Sequence, residues 1–389
     1  MKRGTISLPL HRGHAPAYLV KRMNKLAAAI SKIIIEEYGT KEFLKRLSDP
    51  LWFQAFGCVL GFDWHSSGLT TVVTGVLKQS IKEETHDIFI TGGKGKRSIK
   101  VNEAILNITE KRYNFSTNKI NKLTYASKIT AKIDNSVVQD GYTLYHHVFL
   151  FDKDGNWSVV QQGLNCKNKM ARRYHWLSDK IVSNFLIEPH IGIIGDRKET
   201  NILDMTSRES EDNRKTSLDI LSDDINNIKS KFSKIRTIIP LESKQSLLDK
   251  WITTNTDNNQ IFLNNKNIKH YEMPKTLNWK LINKIYDIKP KNYEEFISIP
   301  GVGYSTIRAI ALISELIYGD AASWKDPVKY NFAHGGKDGV PYSISRKTYD
   351  KSIKFLNDII DGSEIERLEK KKALKRLSVY SINLFNTIG

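Results

Sequence analysis

The chain has 389 residues, 40% hydrophobic and 26% charged, enough for two or three domains and a substantial core. Its 60 Lys and Arg against 42 Asp and Glu leave a formal net charge of +18, which favours a polyanionic partner. No apolar run approaches a membrane span, Met1-Lys2-Arg3-Gly4 lacks the apolar core of a signal peptide, and Cys58 and Cys166 make neither a disulfide framework nor a thiolate metal site. The expected setting is cytoplasmic, with no membrane partner.

Residues 1–15 read as an extended entry. Pro16 opens a helix to about Tyr38, with Leu19, Met23, Leu26, Ala27, Ile30 and Ile34 on its apolar face. Gly39 ends it, and Thr40 caps the next helix, Lys41–Leu47. Trp52, Phe53, Phe56 and Phe62 are core candidates, and Leu69–Leu77 closes on them as a helix or a strand. Between these runs, Asp63 and His65 stand two apart on an extended segment and so share a face. That pairing suits one metal ion or one water.

Ile88–Ile90 reads as a strand running into Thr91-Gly92-Gly93-Lys94-Gly95-Lys96-Arg97. Lys94, Lys96 and Arg97 make this a flexible basic loop for a DNA backbone, or else an exposed hairpin turn. Its spacing is wrong for a P-loop, so no nucleotide cofactor is indicated. Residues 103–130 are helical and polar. Leu144–Phe151 and Trp157–Gly163 are strands on either side of a turn at Asp152–Asn156. His146 and His147 are adjacent and must face opposite sides of their strand. Arg172 and Arg173 can grip a phosphate through paired donors, or answer the acids of the same region structurally.

Composition turns polar near 195–215, and the pattern beyond is helical at 223–235, 242–254, 279–287, 346–361 and 364–387. Within it, Tyr293–Ile299 and Thr306–Ile317 read as helices joined by Pro300-Gly301-Val302-Gly303. Glycines there permit left-handed backbone and close approach. A turn feeding a helix start leaves N–H groups without acceptors, which suits a phosphate oxygen. Gly301, Val302, Gly303, Ser305 and Arg308 are the contact candidates. The turn resembles the helix-hairpin-helix of DNA repair enzymes, whose hairpin has the form Leu/Ile-Pro-Gly-Val-Gly. An ordinary helix–helix turn with a glycine C-cap is the alternative.

A wider resemblance rests on Gly61-Phe62-Asp63-Trp64-His65-Ser66-Ser67-Gly68, Gln139-Asp140-Gly141-Tyr142, Tyr145-His146-His147, Val160-Gln161-Gln162-Gly163, Ala171-Arg172-Arg173-Tyr174-His175-Trp176 and Ala333-His334-Gly335-Gly336-Lys337-Asp338-Gly339. These phrases resemble a prokaryotic family catalogued as domain of unknown function 763. The family label implies no activity, so chemistry must come from the residues.

The fold expected is an α/β (α+β) N-terminal domain over 1–205, followed by an all-α helix-hairpin-helix domain over 215–389 with the hairpin at 293–318. The leading functional expectation is a DNA-processing hydrolase in repair: a nuclease holding divalent Mg or Mn on Asp63, Asp134 and Asp140, with His65 or His146 as ligand or base. Lys94, Arg172, Arg173 and Lys337 would meet phosphate. Helix-hairpin-helix glycosylases imply a second chemistry, in which Asp326, close to that family's interval after the hairpin, supports attack at the glycosidic carbon. Ser305 stands where lyase-active members carry Lys, which disfavours a Schiff base. Asp326 also reads as a helix cap before Pro327. A third reading is a DNA-binding protein without turnover.

Overall fold

The computed structural model describes residues 17–61, 67–110, 112–181, 184–195, 198–238, 271–328, 330–331, 346–362 and 367–388. In chain order, helices α1 (Ala17–Ser48), α2 (Pro50–Leu60), α3 (Gly68–Ser80) and α4 (Glu83–His86) precede strand β1 (Ile88–Lys94). Then come α5 (Lys96–Ile99), α6 (Val101–Thr109), α7 (Thr117–Lys132) and a π-helical turn, Ile133–Val137. The strands β2 (Val138–Gln139), β3 (Thr143–Asp152), β4 (Trp157–Asn165), β5 (Met170–Leu177), β6 (Gly192–Gly195) and β7 (Leu203–Asp204) follow. The remainder is α8 (Glu211–Leu221), α9 (Ile225–Ile238), α10 (Trp279–Ile288), α11 (Tyr293–Ser298), α12 (Tyr304–Ile313), β8 (Tyr330–Asn331), α13 (Arg346–Gly362) and α14 (Arg367–Ile388).

The main sheet runs β1-β3-β4-β5-β6-β8; its first five strands are antiparallel, and β8 adds parallel to β6. Alternation along these strands creates two cores. Phe89, Phe149, Val159, Tyr174 and Trp176 face α6, α7 and the helices from α8 to α12. Ile88, Ile90, Val148, Leu150 and Val160 face α1, α2 and α3, where α13 and α14 return to pack through Leu356, Ile360, Ala373 and Leu377. Each fully buried side chain of this size contributes about 1.5–3 kcal/mol. The composition change at 195–215 spans β7 and the start of α8, and residues on both sides of it share one core.

Gly39 (φ 84, ψ 166) breaks α1 where the helix was expected to end. The Thr40 hydroxyl, expected as a cap, donates to Asp152 Oδ2 at 2.9 Å. Asp152 also accepts from the Asp154 and Asn156 amides and so closes the β3–β4 turn. Leu69–Leu77 is helical, inside α3.

The basic loop needs correction. Thr91–Lys94 belongs to β1, paired through Thr91↔Phe149, Gly92↔Val148, Gly93↔His147 and Lys94↔His146. Two glycines suggest a loop by composition, but here they let strands approach. A Cβ on Gly92 would lie 2.1 Å from the His147 carbonyl oxygen. Lys96 and Arg97 begin the short helix α5.

Candidate nucleic-acid interface

The α11–α12 turn lies at the surface. Pro300, Gly301, Tyr304 and Ser305 are exposed, Gly303 is half-buried, and Val302 is buried beneath them. Gly301 adopts φ 97, and the Val302 amide donates back to the Ile299 carbonyl at 3.1 Å, which closes the turn. Gly303 precedes α12 in extended geometry, and no side chain caps the helix. First-turn amides lack intrahelical acceptors, so α12 begins with donors at an exposed bend. The helix dipole favours an anion there.

Two residues hold the turn from behind. Lys132, at the end of α7, donates from Nζ to the Val302 carbonyl, and burial lowers its pKa. Gln139 donates to the Tyr304 carbonyl at 3.0 Å and accepts from Arg308 at 3.2 Å. Arg308 is buried; its Nε donates to the Glu272 carbonyl and its guanidinium lies 5.2 Å from the Trp324 ring centre. Its place is therefore under the turn rather than on its surface. Neither Lys132 nor Gln139 was legible as part of this site, since their partners lie 170 and 165 positions away in sequence.

The other cationic candidates divide by depth. Lys94, Lys96 and Arg97 are exposed at the end of β1. Arg172 and Arg173 are fully buried on opposite faces of β5. Arg172 binds Asp140 at 3.0 Å and both carboxylate oxygens of Asp326 at 3.0 and 2.8 Å. Arg173 donates to Gln54 at 3.0 Å and lies over the Phe53 ring. Lys337 lies outside the described residues, as do Asp63 and His65.

Of the carboxylates expected to hold metal, Asp134 and Asp140 serve separate buried networks. Asp134, in the π-helical turn, accepts from His190 Nε2 and Gln161 Nε2 at 2.5 Å and from Trp176 Nε1 at 2.9 Å. Gln161 in turn accepts from His147 Nδ1 at 2.6 Å, so His147 Nε2 is left to accept from Ser127. Burial pushes His147 down to about 4. Asp140 binds Arg172, the Tyr174 hydroxyl at 2.7 Å and the Tyr142 amide. Burial pushes its carboxyl up to about 6, against the pull of Arg172. His146 points to the opposite face, where Nε2 shares a 3.0 Å bond with Thr74 and burial pushes the ring down to about 3. Among the described residues, no three His, Cys, Asp or Glu side chains are placed to hold a metal ion.

Asp326 neither caps a helix nor faces solvent. Besides Arg172, it accepts from the Glu199 amide at 2.6 Å and the Val328 amide at 3.0 Å, and its side chain is buried.

A family model described as a protein of unknown function, DUF763, matches residues 4–344. The chain belongs to the DUF763 family. The phrases that carried the resemblance, from Gly61 to Gly339, all fall within the matched span of this DUF763 protein. No curated protein and no solved structure matches it. Among the described residues of this DUF763 chain, no helix is long and apolar enough to cross a membrane.

Proposed function

We propose that this DUF763 protein binds duplex DNA, with the Pro300–Ser305 turn receiving a backbone phosphate as a helix-hairpin-helix does. The observation that carries the reading is the uncapped start of α12 at an exposed turn. A net charge of +18 supports it by favouring a polyanion over long range.

Binding has more support than either catalytic reading. A nuclease would need Asp134 and Asp140 to turn toward a metal, yet each is buried in its own hydrogen-bond network. A glycosylase would need Asp326 free to face a sugar, yet Arg172 takes both of its oxygens. A repair nuclease using Mg or Mn is carried as a measured alternative in the same assay.

The test uses labelled duplex and a Ser305→Glu variant. Ser305 is exposed in the first turn of α12, where an added carboxylate suits the dipole and repels phosphate. The expected result is salt-dependent binding by the wild-type chain and at least tenfold weaker binding by the variant, with thermal stability unchanged. Equal affinity would remove the turn from the interface. Metal-dependent cutting abolished by EDTA would restore the nuclease.

A further inference from the structure

The end of β1 carries an unusual combination of groups. Ile99 is 83% exposed, the highest of the exposed large hydrophobic side chains among the described residues. Next to it in sequence are Lys94, Lys96, Arg97 and Lys100, all exposed; no acid lies between Asp87 and Glu103, and Glu103 pairs with Lys100 at 3.8 Å on the exposed surface. The segment is anchored rather than loose. The Gly95 amide donates to the Tyr145 carbonyl at 2.9 Å, and Lys78 Nζ holds the Gly92 carbonyl at 3.1 Å. Within α5 the Ser98 amide and hydroxyl both close on the Gly95 carbonyl. Val101 is buried immediately after the tip. The fold thus holds an isoleucine out in water on a fixed support flanked in sequence by positive charge.

We infer that this tip is a duplex wedge, in which Ile99 enters between base pairs while Lys96, Arg97 and Lys100 hold the flanking phosphates. The inference rests on the DNA-binding reading and adds a deformation of the duplex to it. Apolar wedges among basic side chains partly unstack a base step and kink DNA. The charges select a polyanion. One isoleucine on a four-residue helix is too small an apolar surface to anchor on a membrane, where binding scales with buried apolar area.

A chain of hydrogen bonds links the tip to the α11–α12 turn by way of β3. Lys94 pairs in register with His146, and Gly95 bonds to Tyr145, near the start of β3. At that same start the Leu144 amide donates to Asn135, three residues beyond the Lys132 that holds Val302. Tip and turn are therefore each tied, directly or through the Lys132–Asn135 segment, to the start of β3.

The experiment uses the full chain and duplexes carrying 2-aminopurine at a central step, whose fluorescence rises on unstacking. At saturation, wild type is expected to raise the signal at least twofold, and Ile99→Ser is expected to lose that rise with its melting temperature unchanged. Lys96→Ala with Arg97→Ala is expected to weaken binding about tenfold and lower its salt dependence, yet keep the rise at saturating protein. If wild type binds duplex and Ile99→Ser unstacks it equally, the wedge is overturned while DNA binding stands. If wild type binds no duplex, the underlying reading fails first. Ile99-dependent sedimentation with anionic vesicles, without duplex unstacking, would reassign the tip to a membrane surface.

Discussion

The Arg172 guanidinium bridges two halves of the chain by holding both carboxylate oxygens of Asp326, at 3.0 and 2.8 Å, and Asp140 at 3.0 Å. All three side chains are buried. A buried arginine answered by two carboxylates is a tie between β5 and the segment that leads into β8. It also gives Asp326 a structural role that needs no substrate.

Removing one partner of a buried pair leaves an uncompensated charge. Asp326→Ala is therefore expected to lower unfolding stability by about 3–5 kcal/mol, measured by urea denaturation. Arg172→Lys is expected not to rescue the fold, because an ammonium cannot bind Asp326 through two parallel donors. An Asp326→Asn variant of wild-type stability that abolished base release from damaged DNA would contradict this assignment and favour a glycosylase.

The buried histidines set an acid limit. His146 and His147 are held neutral, pushed down to about 3 and about 4 from 6.5, and His175 is lowered too, all chiefly by burial. Below 6.5 the unfolded chain takes up protons that the folded chain refuses. Stability present above that pH is therefore lost as pH falls toward 4, by about 1.4 kcal/mol per pH unit for each ring. Asp140 works in the opposite direction between its usual 3.8 and about 6, where the folded state holds a proton the unfolded chain has released. Asp49 and Asp204 are raised by burial too and act with Asp140, but the imidazoles refuse protons over a wider span that starts at 6.5, so the melting temperature is expected to fall from pH 6.5 to 4.5. A flat or rising profile over that range would show that these imidazoles are not kept neutral.

Gly92 and Gly95 separate packing from exposure. At Gly92 a Cβ would meet the His147 carbonyl oxygen at 2.1 Å on a backbone with φ +88. Gly95 has φ +61 and nothing within 4 Å. Gly92→Ala is expected to prevent stable folding, whereas Gly95→Ala, strained by its backbone (φ 61, ψ −126) but not by contacts, is expected to cost about 1–3 kcal/mol. Circular dichroism melts of the two variants would check the contrast.

Much of the scaffold was legible because it is local. Hydrophobic alternation and the Asp152–Asn156 turn give the β3–β4 hairpin, and periodicity with Gly39 gives the break in α1. The apolar stripe of Met23, Leu26, Ala27, Ile30 and Ile34 is buried as its spacing implies. Long-range chemistry was not legible. The partners of Arg172 lie 32 and 154 positions away, and those of Asp134 lie 27, 42 and 56 away. No spacing rule reports such contacts. Inventory therefore grouped Asp134, Asp140 and His146 as one site, whereas the fold gives Asp134 and Asp140 separate networks and sends His146 to the other face of the sheet. The exposed turn at Gly301 was legible because proline, glycine and two helix patterns speak for it within a few residues.

The most direct test follows backbone amide resonances while the isotopically labelled full chain is titrated with a short duplex. If the α12 start receives phosphate, the amides of Gly303, Tyr304, Ser305 and Thr306 are expected to shift most, and added salt is expected to reverse the shifts. A duplex that binds while these four signals stay unmoved would contradict the account.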